Sequence, residues 1–140
     1  MPNKILIIGQ APPEQKQKLP YDTTMLYNWF EEVGIKKSDA KDTFEFDAVY
    51  DKFPGKDASG NHIQPSLKEM NEYFNRSLKQ KISNHDKIIV LGKVAYNFLV
   101  SINALENKKF IELMHPSFRN IGKYKQEKKQ LIEKLKEFIQ

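Results

Sequence analysis

Two apolar runs constrain this chain more than any other feature. Ile5-Leu6-Ile7-Ile8 closes on Gly9, and Ile88-Ile89-Val90-Leu91 closes on Gly92. Neither run alternates with polar residues, so neither leaves a face for water. A run of this kind suits a strand covered on both sides, as at the centre of a parallel sheet. Parallel strands cannot be joined by a tight turn. They need a crossover, usually a helix.

The surrounding sequence supplies helical periods in the right places. Asp22 or Thr23 can cap a helix in which Met25, Leu26, Trp29, Phe30 and Val33 share a face, and Gly34 closes it. Residues Thr43 to Tyr50 read as a second strand, with Phe44, Phe46 and Ala48 alternating against Glu45, Asp47 and Val49. Ser66 and Glu69 form a capping box after Pro65, opening a helix with Leu67, Met70, Phe74, Leu78 and Ile82 as its buried stripe. Lys87 to Leu91 is the third strand, Val94 to Ile102 a short helix, and Phe110 to Met114 the fourth strand. Leu131, Ile132, Leu135, Phe138 and Ile139 form the apolar stripe of a Lys-rich final helix. The alternation predicts an α/β fold, a three-layer α/β/α sandwich with a central four-stranded parallel sheet, as a single domain over residues 1–140. The polar stretch from Asp51 to Gln64, with Pro54, Gly55 and Gly60, is long for a plain connection and reads as a functional or mobile segment.

Composition narrows the function classes. There is no cysteine, which rules out a disulfide framework, a thiolate zinc site and a cysteine-ligated iron–sulfur cluster. The same absence fits a reducing, cytoplasmic setting. The three histidines lack metal-ligand spacing, so no metal is expected; His62 and His85 read as surface residues. The apolar runs fall far short of the roughly 18 residues of a membrane span, and no secretory signal is read at the N-terminus. A net charge of +5 permits an anionic partner such as nucleic acid without requiring one. The charged stretch from Lys123 to Lys136 carries an apolar stripe, so it reads as an amphipathic helix with a solvated face.

Two polar motifs follow strand-like runs: Gly9-Gln10-Ala11-Pro12-Pro13 and His115-Pro116-Ser117-Phe118-Arg119-Asn120. Ligands of open parallel sheets bind at the carboxyl ends of the strands. The two motifs therefore have the placement to converge on one pocket, although they lie about a hundred residues apart.

Taken with Leu19-Pro20-Tyr21, Met25-Leu26, Gly34-Ile35, the Lys87 to Gly92 strand and Ala95, these motifs resemble the uracil-DNA glycosylase superfamily in order and spacing over nearly the whole chain. The pattern is most similar to a branch that carries an iron–sulfur cluster, and this chain is then a shortened, cysteine-free relative with no cofactor. The resemblance implies a monofunctional DNA glycosylase of base-excision repair, a monomer with DNA as its partner. Such an enzyme hydrolyses the N-glycosidic bond of uracil or another deaminated or damaged base. It implies that His115 donates to a base carbonyl oxygen as the departing base gains negative charge. Gln10 positions the water, with Gly9 and Ala11 beside the base, and Tyr21 offers a flat face for stacking. Phe118 is a candidate wedge in the duplex. Ser117, Arg119, Lys123 and Lys125 are candidate phosphate contacts, as are Lys52 and Lys56 in the long segment.

Two positions depart from the family pattern. Ala11 stands where the best-known branch has an acidic residue that orients the attacking water. Asp47 stands where an asparagine reads the uracil edge. An ionised aspartate has acceptors only, which suits two adjacent N–H donors of a guanine-type edge and opposes the O4 of uracil. Asp47 has three possible roles: reading the base edge, orienting the water that Ala11 does not, or facing solvent on an edge strand. Two rival functions stay open: a nucleic-acid or protein-binding member of the same fold without chemistry, and a hydrolase of free nucleosides or nucleotides.

Overall fold

The computed structural model describes residues 4–10, 24–52, 55, 57–59, 63–114 and 121–140, with the side chains of 24–25 and 121–125 excepted. A parallel sheet of four strands forms its centre, in the order β2-β1-β3-β4. The strands are β1 (Ile5–Gly9), β2 (Phe44–Ala48), β3 (Lys87–Leu91) and β4 (Lys109–Leu113). The two continuous apolar runs are the two inner strands, paired with each other through Leu6–Ile88, Ile7–Ile89 and Ile8–Val90. All five residues of β1 are buried, as a strand covered on both faces requires.

Two helical layers cover the sheet. On one face, α1 (Thr24–Glu32), α2 (Lys37–Thr43) and α6 (Ile121–Ile139) bury Leu26, Trp29, Phe30, Ala40, Leu131 and Leu135 against Ile5, Ile7, Phe44 and Ala48. Phe30 stacks on Phe44 with ring centroids 4.2 Å apart and planes 14° from parallel. On the other face, α3 (Leu67–Tyr73), α4 (Lys79–Ser83) and α5 (Lys93–Ser101) bury Met70, Tyr73, Leu78, Ile82, Ala95 and Leu99 against Leu6, Ile8, Ile88 and Val90. The expected three-layer sandwich is what the chain forms. The short α2 was not expected, because its sequence offers only Ala40 to the core and shows no stripe. Among the described residues, no helix is long and apolar enough to cross a membrane.

One helix departs from the regular period. A π turn spans Phe74–Leu78 between α3 and α4, with the Lys79 N–H donating to the Phe74 carbonyl five residues back. The expected stripe of Leu67, Met70, Phe74, Leu78 and Ile82 is corrected accordingly. Leu67 is 61% exposed and Phe74 only partly buried, while Tyr73 is buried. The inward residues are Met70, Tyr73, Leu78 and Ile82, and the extra residue between Tyr73 and Leu78 is absorbed by the π turn. The Ser66–Glu69 capping box forms as read, through Ser66 N–H to Glu69 at 2.9 Å and Glu69 N–H to Ser66 at 3.1 Å.

His85 also needs correction. It is buried, not a surface residue. Its Nδ1 lies 2.7 Å from the Lys81 carbonyl and its Nε2 3.1 Å from Glu45, so the ring joins the end of α4 to β2.

Candidate functional site

The connections set a reversal of strand order at the centre of the sheet. From β1 the chain crosses to β2 on one side, and from β3 it crosses to β4 on the other. The strand order therefore reverses between β1 and β3, which defines the crevice where parallel α/β proteins hold their ligands. Gly9 closes β1 at that crevice, and Gln10 follows it directly, half-buried. Gly92 follows β3 with φ 87° and ψ 163°, a backbone region that only glycine enters readily. Its N–H donates to the Leu113 carbonyl at 2.8 Å, tying the start of α5 to the last residue of β4. The chain leaves β4 two residues before His115, so both polar motifs depart from the carboxyl end of the sheet.

Of the residues singled out from the sequence, Gly9, Gln10 and Asp47 are described in full. Ala11, Tyr21, Lys56, His115, Ser117, Phe118 and Arg119 lie outside the described residues, and so do the side chains of Lys123 and Lys125. Lys52 is exposed just beyond β2.

Asp47 is the best-defined of these groups. It is only 5% exposed, so the solvent-facing alternative is set aside. It points to the face covered by α3 and α4, opposite Phe46 and Ala48 on the same strand. Oδ1 accepts two hydrogen bonds, from the Ala48 N–H at 2.7 Å and from the Tyr73 hydroxyl at 2.7 Å. Oδ2 lies 3.1 Å from the Lys81 ammonium, a charge contact whose angle falls outside hydrogen-bond geometry.

The pattern has a simple cause. β2 is an edge strand, and its ladder to β1 continues through the Val49 N–H to the Gly9 carbonyl at 3.0 Å. The Ala48 N–H points the other way, to the unpaired edge, and a buried N–H without an acceptor is costly. The Asp47 carboxylate supplies that acceptor. Two hydrogen-bond donors and one ammonium converge on it, and an acceptor-only side chain suits all three. Burial, and then the hydrogen bond to Asp47, push the Tyr73 hydroxyl above the usual tyrosine range and keep it a donor. The protein's own groups thus occupy Oδ1, while Oδ2 faces the Lys81 ammonium.

Around Asp47 runs a polar seam that fastens the segment after β2 to the helix above it. The Tyr50 hydroxyl bonds to Glu69, which pushes the Tyr50 pKa up to about 12. Asp51 pairs with Arg76 at 2.9 Å, and the Arg76 guanidinium lies over the Tyr73 ring, 5.4 Å from its centroid. Sequence reasoning missed Tyr50, Glu69, Tyr73, Arg76 and Lys81 as partners of this region. The legible signal was the step of five between Tyr73 and Leu78 in an otherwise helical pattern.

A parallel sheet covered by helices on both faces, with a reversal in strand order between β1 and β3, defines a doubly wound α/β domain. Its family is the uracil DNA glycosylase superfamily, which matches residues 2–138 of the chain, and the protein belongs to it. No individual curated protein matches the chain.

Proposed function

We propose that this protein is a monofunctional DNA glycosylase that removes uracil or another deaminated or damaged base during DNA repair. The observation that carries the reading is the match to the uracil DNA glycosylase superfamily over residues 2–138, supported by a four-stranded parallel sheet in which β1 leads into Gln10 and β4 ends two residues before His115 in the sequence. In this reading Tyr21 stacks on the extruded base, with the main chain of Gly9 and Ala11 beside it. Gln10 holds the water. The water oxygen bonds to the anomeric carbon as the bond to the base nitrogen breaks. The electron pair leaves with the base, and the imidazole of His115 donates to the carbonyl oxygen that gains charge. The proton lost by the water passes through solvent to the departing base. Phe118 enters the duplex, and Ser117, Arg119 and Lys123 hold phosphates.

Ala11 favours one second reading, a member that binds DNA without cleaving it, because the position directly after Gln10 carries a methyl group and no carboxylate to orient the water. A panel of oligonucleotides separates the two. Uracil, hypoxanthine, xanthine and mismatched cytosine would be presented in single and double strands and scored for alkali-labile abasic sites. Excision of at least one base supports the glycosylase. Binding to abasic or mismatched DNA with no abasic product from any substrate supports the second reading.

A further inference from the structure

We infer that Tyr73 and Lys81 are positioning residues for the proposed reaction, acting through Asp47 on the end of β2 beside Gly9 and Gln10; the inference rests on the glycosylase reading. Eight residues on a regular α-helix turn through about 800°, so Tyr73 and Lys81 would face directions about 80° apart. One residue absorbed by a π turn removes about 100° of that rotation and brings the two within about 20° of each other. The π turn at Phe74–Leu78 lies between them, and both side chains meet the same carboxylate.

The chain of contacts then leads to the sheet end. Tyr73 and Lys81 hold Asp47, Asp47 holds the Ala48 N–H, and Ala48 lies opposite Gly9 in the β1–β2 register. Val49 donates to the Gly9 carbonyl immediately beyond. The main chain that launches Gln10 is therefore braced by a carboxylate whose own position is set by two side chains of one helix. This also accounts for an acceptor-only residue at position 47: its charge matches Tyr73, Lys81 and Ala48 N–H. Base selection is then left to other groups at the site.

The test uses the full chain and single-turnover and steady-state kinetics on the best oligonucleotide of the panel, together with exchange of the Ala48 amide measured by NMR. Tyr73→Phe and Lys81→Met are each expected to lower kcat at least threefold with KM within twofold of wild type, and to speed Ala48 exchange at least tenfold. Both effects should vanish in an Asp47→Ala background, which a role in packing alone would not produce. Asp47→Asn should lower kcat and leave the base profile unchanged; it also serves if Asp47→Ala does not fold. Unchanged kcat or unchanged Ala48 exchange in both single variants overturns the inference, as does a base profile that moves in Asp47→Asn. A wild-type chain that cleaves no substrate overturns the glycosylase reading and the kinetic role with it. Ala48 exchange that fails to respond in an active enzyme overturns the positioning role alone.

Discussion

The hydroxyl of Tyr73 reaches the carboxylate of Asp47 at 2.7 Å, joining a helix to an edge strand that precedes it by 26 residues. The bond is buried, and the carboxylate it meets also holds a backbone N–H and faces an ammonium. Asp47→Asn puts an amide donor among donors: the N–H group of the new side chain must face Lys81, or displace the bond to Ala48 or Tyr73. A buried donor left without an acceptor costs about 1–3 kcal/mol. Asp47→Asn is therefore expected to be destabilised by that amount, and Tyr73→Phe by about 1 kcal/mol. Urea melts of the two variants measure this, and wild-type midpoints in both would contradict the role assigned to the carboxylate.

Tyr50 and Glu69 give the fold a pH signature. The hydrogen bond between them raises Tyr50 to about 12 and lowers Glu69 below 4.5, with the Ser66 backbone and side chain adding to the Glu69 shift. Tyr50 is held in its neutral form, so its contribution is present below the ordinary tyrosine value near 10 and is lost as pH rises toward about 12. Glu69 is held in its charged form, so its contribution is present above 4.5 and is lost as pH falls through the lowered value. Tyr50→Phe should flatten both limbs of a Tm-against-pH curve. A phenolate titration followed by absorbance should lose a late-titrating tyrosine in that variant. An unchanged alkaline limb would show that the hydroxyl does not bear this load.

The π turn makes a prediction about chain length. It absorbs one residue between Tyr73 and Leu78, and Asn75 is exposed within it. Deleting Asn75 leaves Tyr73, Leu78, Lys81 and Ile82 on their present faces if the segment closes into a regular α-helix. The variant should fold with a Tm within a few degrees of wild type. Deleting Gln80 instead rotates Ile82 about 100° away from the core and should lower Tm by far more. Equal losses from the two deletions would mean that the π turn is not a local insertion.

What could be read from the sequence follows the range of the forces involved. β1 and β3 were legible because four consecutive buried positions need no partner to identify them. β2 was legible from alternation, with the boundaries drawn in to Phe44–Ala48. The stripe of α3 and α4 was misread at Phe74 because a fixed period of 3.6 cannot register a step of five. The solvent-facing alternative for Asp47 and the surface reading of His85 failed for a different reason. The partners of these two residues, Tyr73, Lys81 and Glu45, are brought to them only when the helix layer closes on β2. A lone polar residue in a strand or loop shows its donors and acceptors, but not who will meet them. The carboxyl-end placement of Gln10 was legible because it requires only that an apolar run end at Gly9.

His115 follows the last residue of β4 by two positions in the sequence. Its proposed work is confined to the transition state, where the carbonyl oxygen of the departing base gains charge. A donor that acts there lowers kcat when removed and leaves ground-state binding nearly intact. Loss of one preorganised donor of this kind costs about 10²–10³ in kcat in other enzymes. His115→Ala is expected to lose about tenfold or more in single-turnover rate, with DNA affinity in a gel-shift assay within a few fold of wild type. Full activity in the variant would remove His115 from the chemistry. A rate loss matched by an equal loss of affinity would make it a DNA-binding residue, with no special part in stabilising the leaving base.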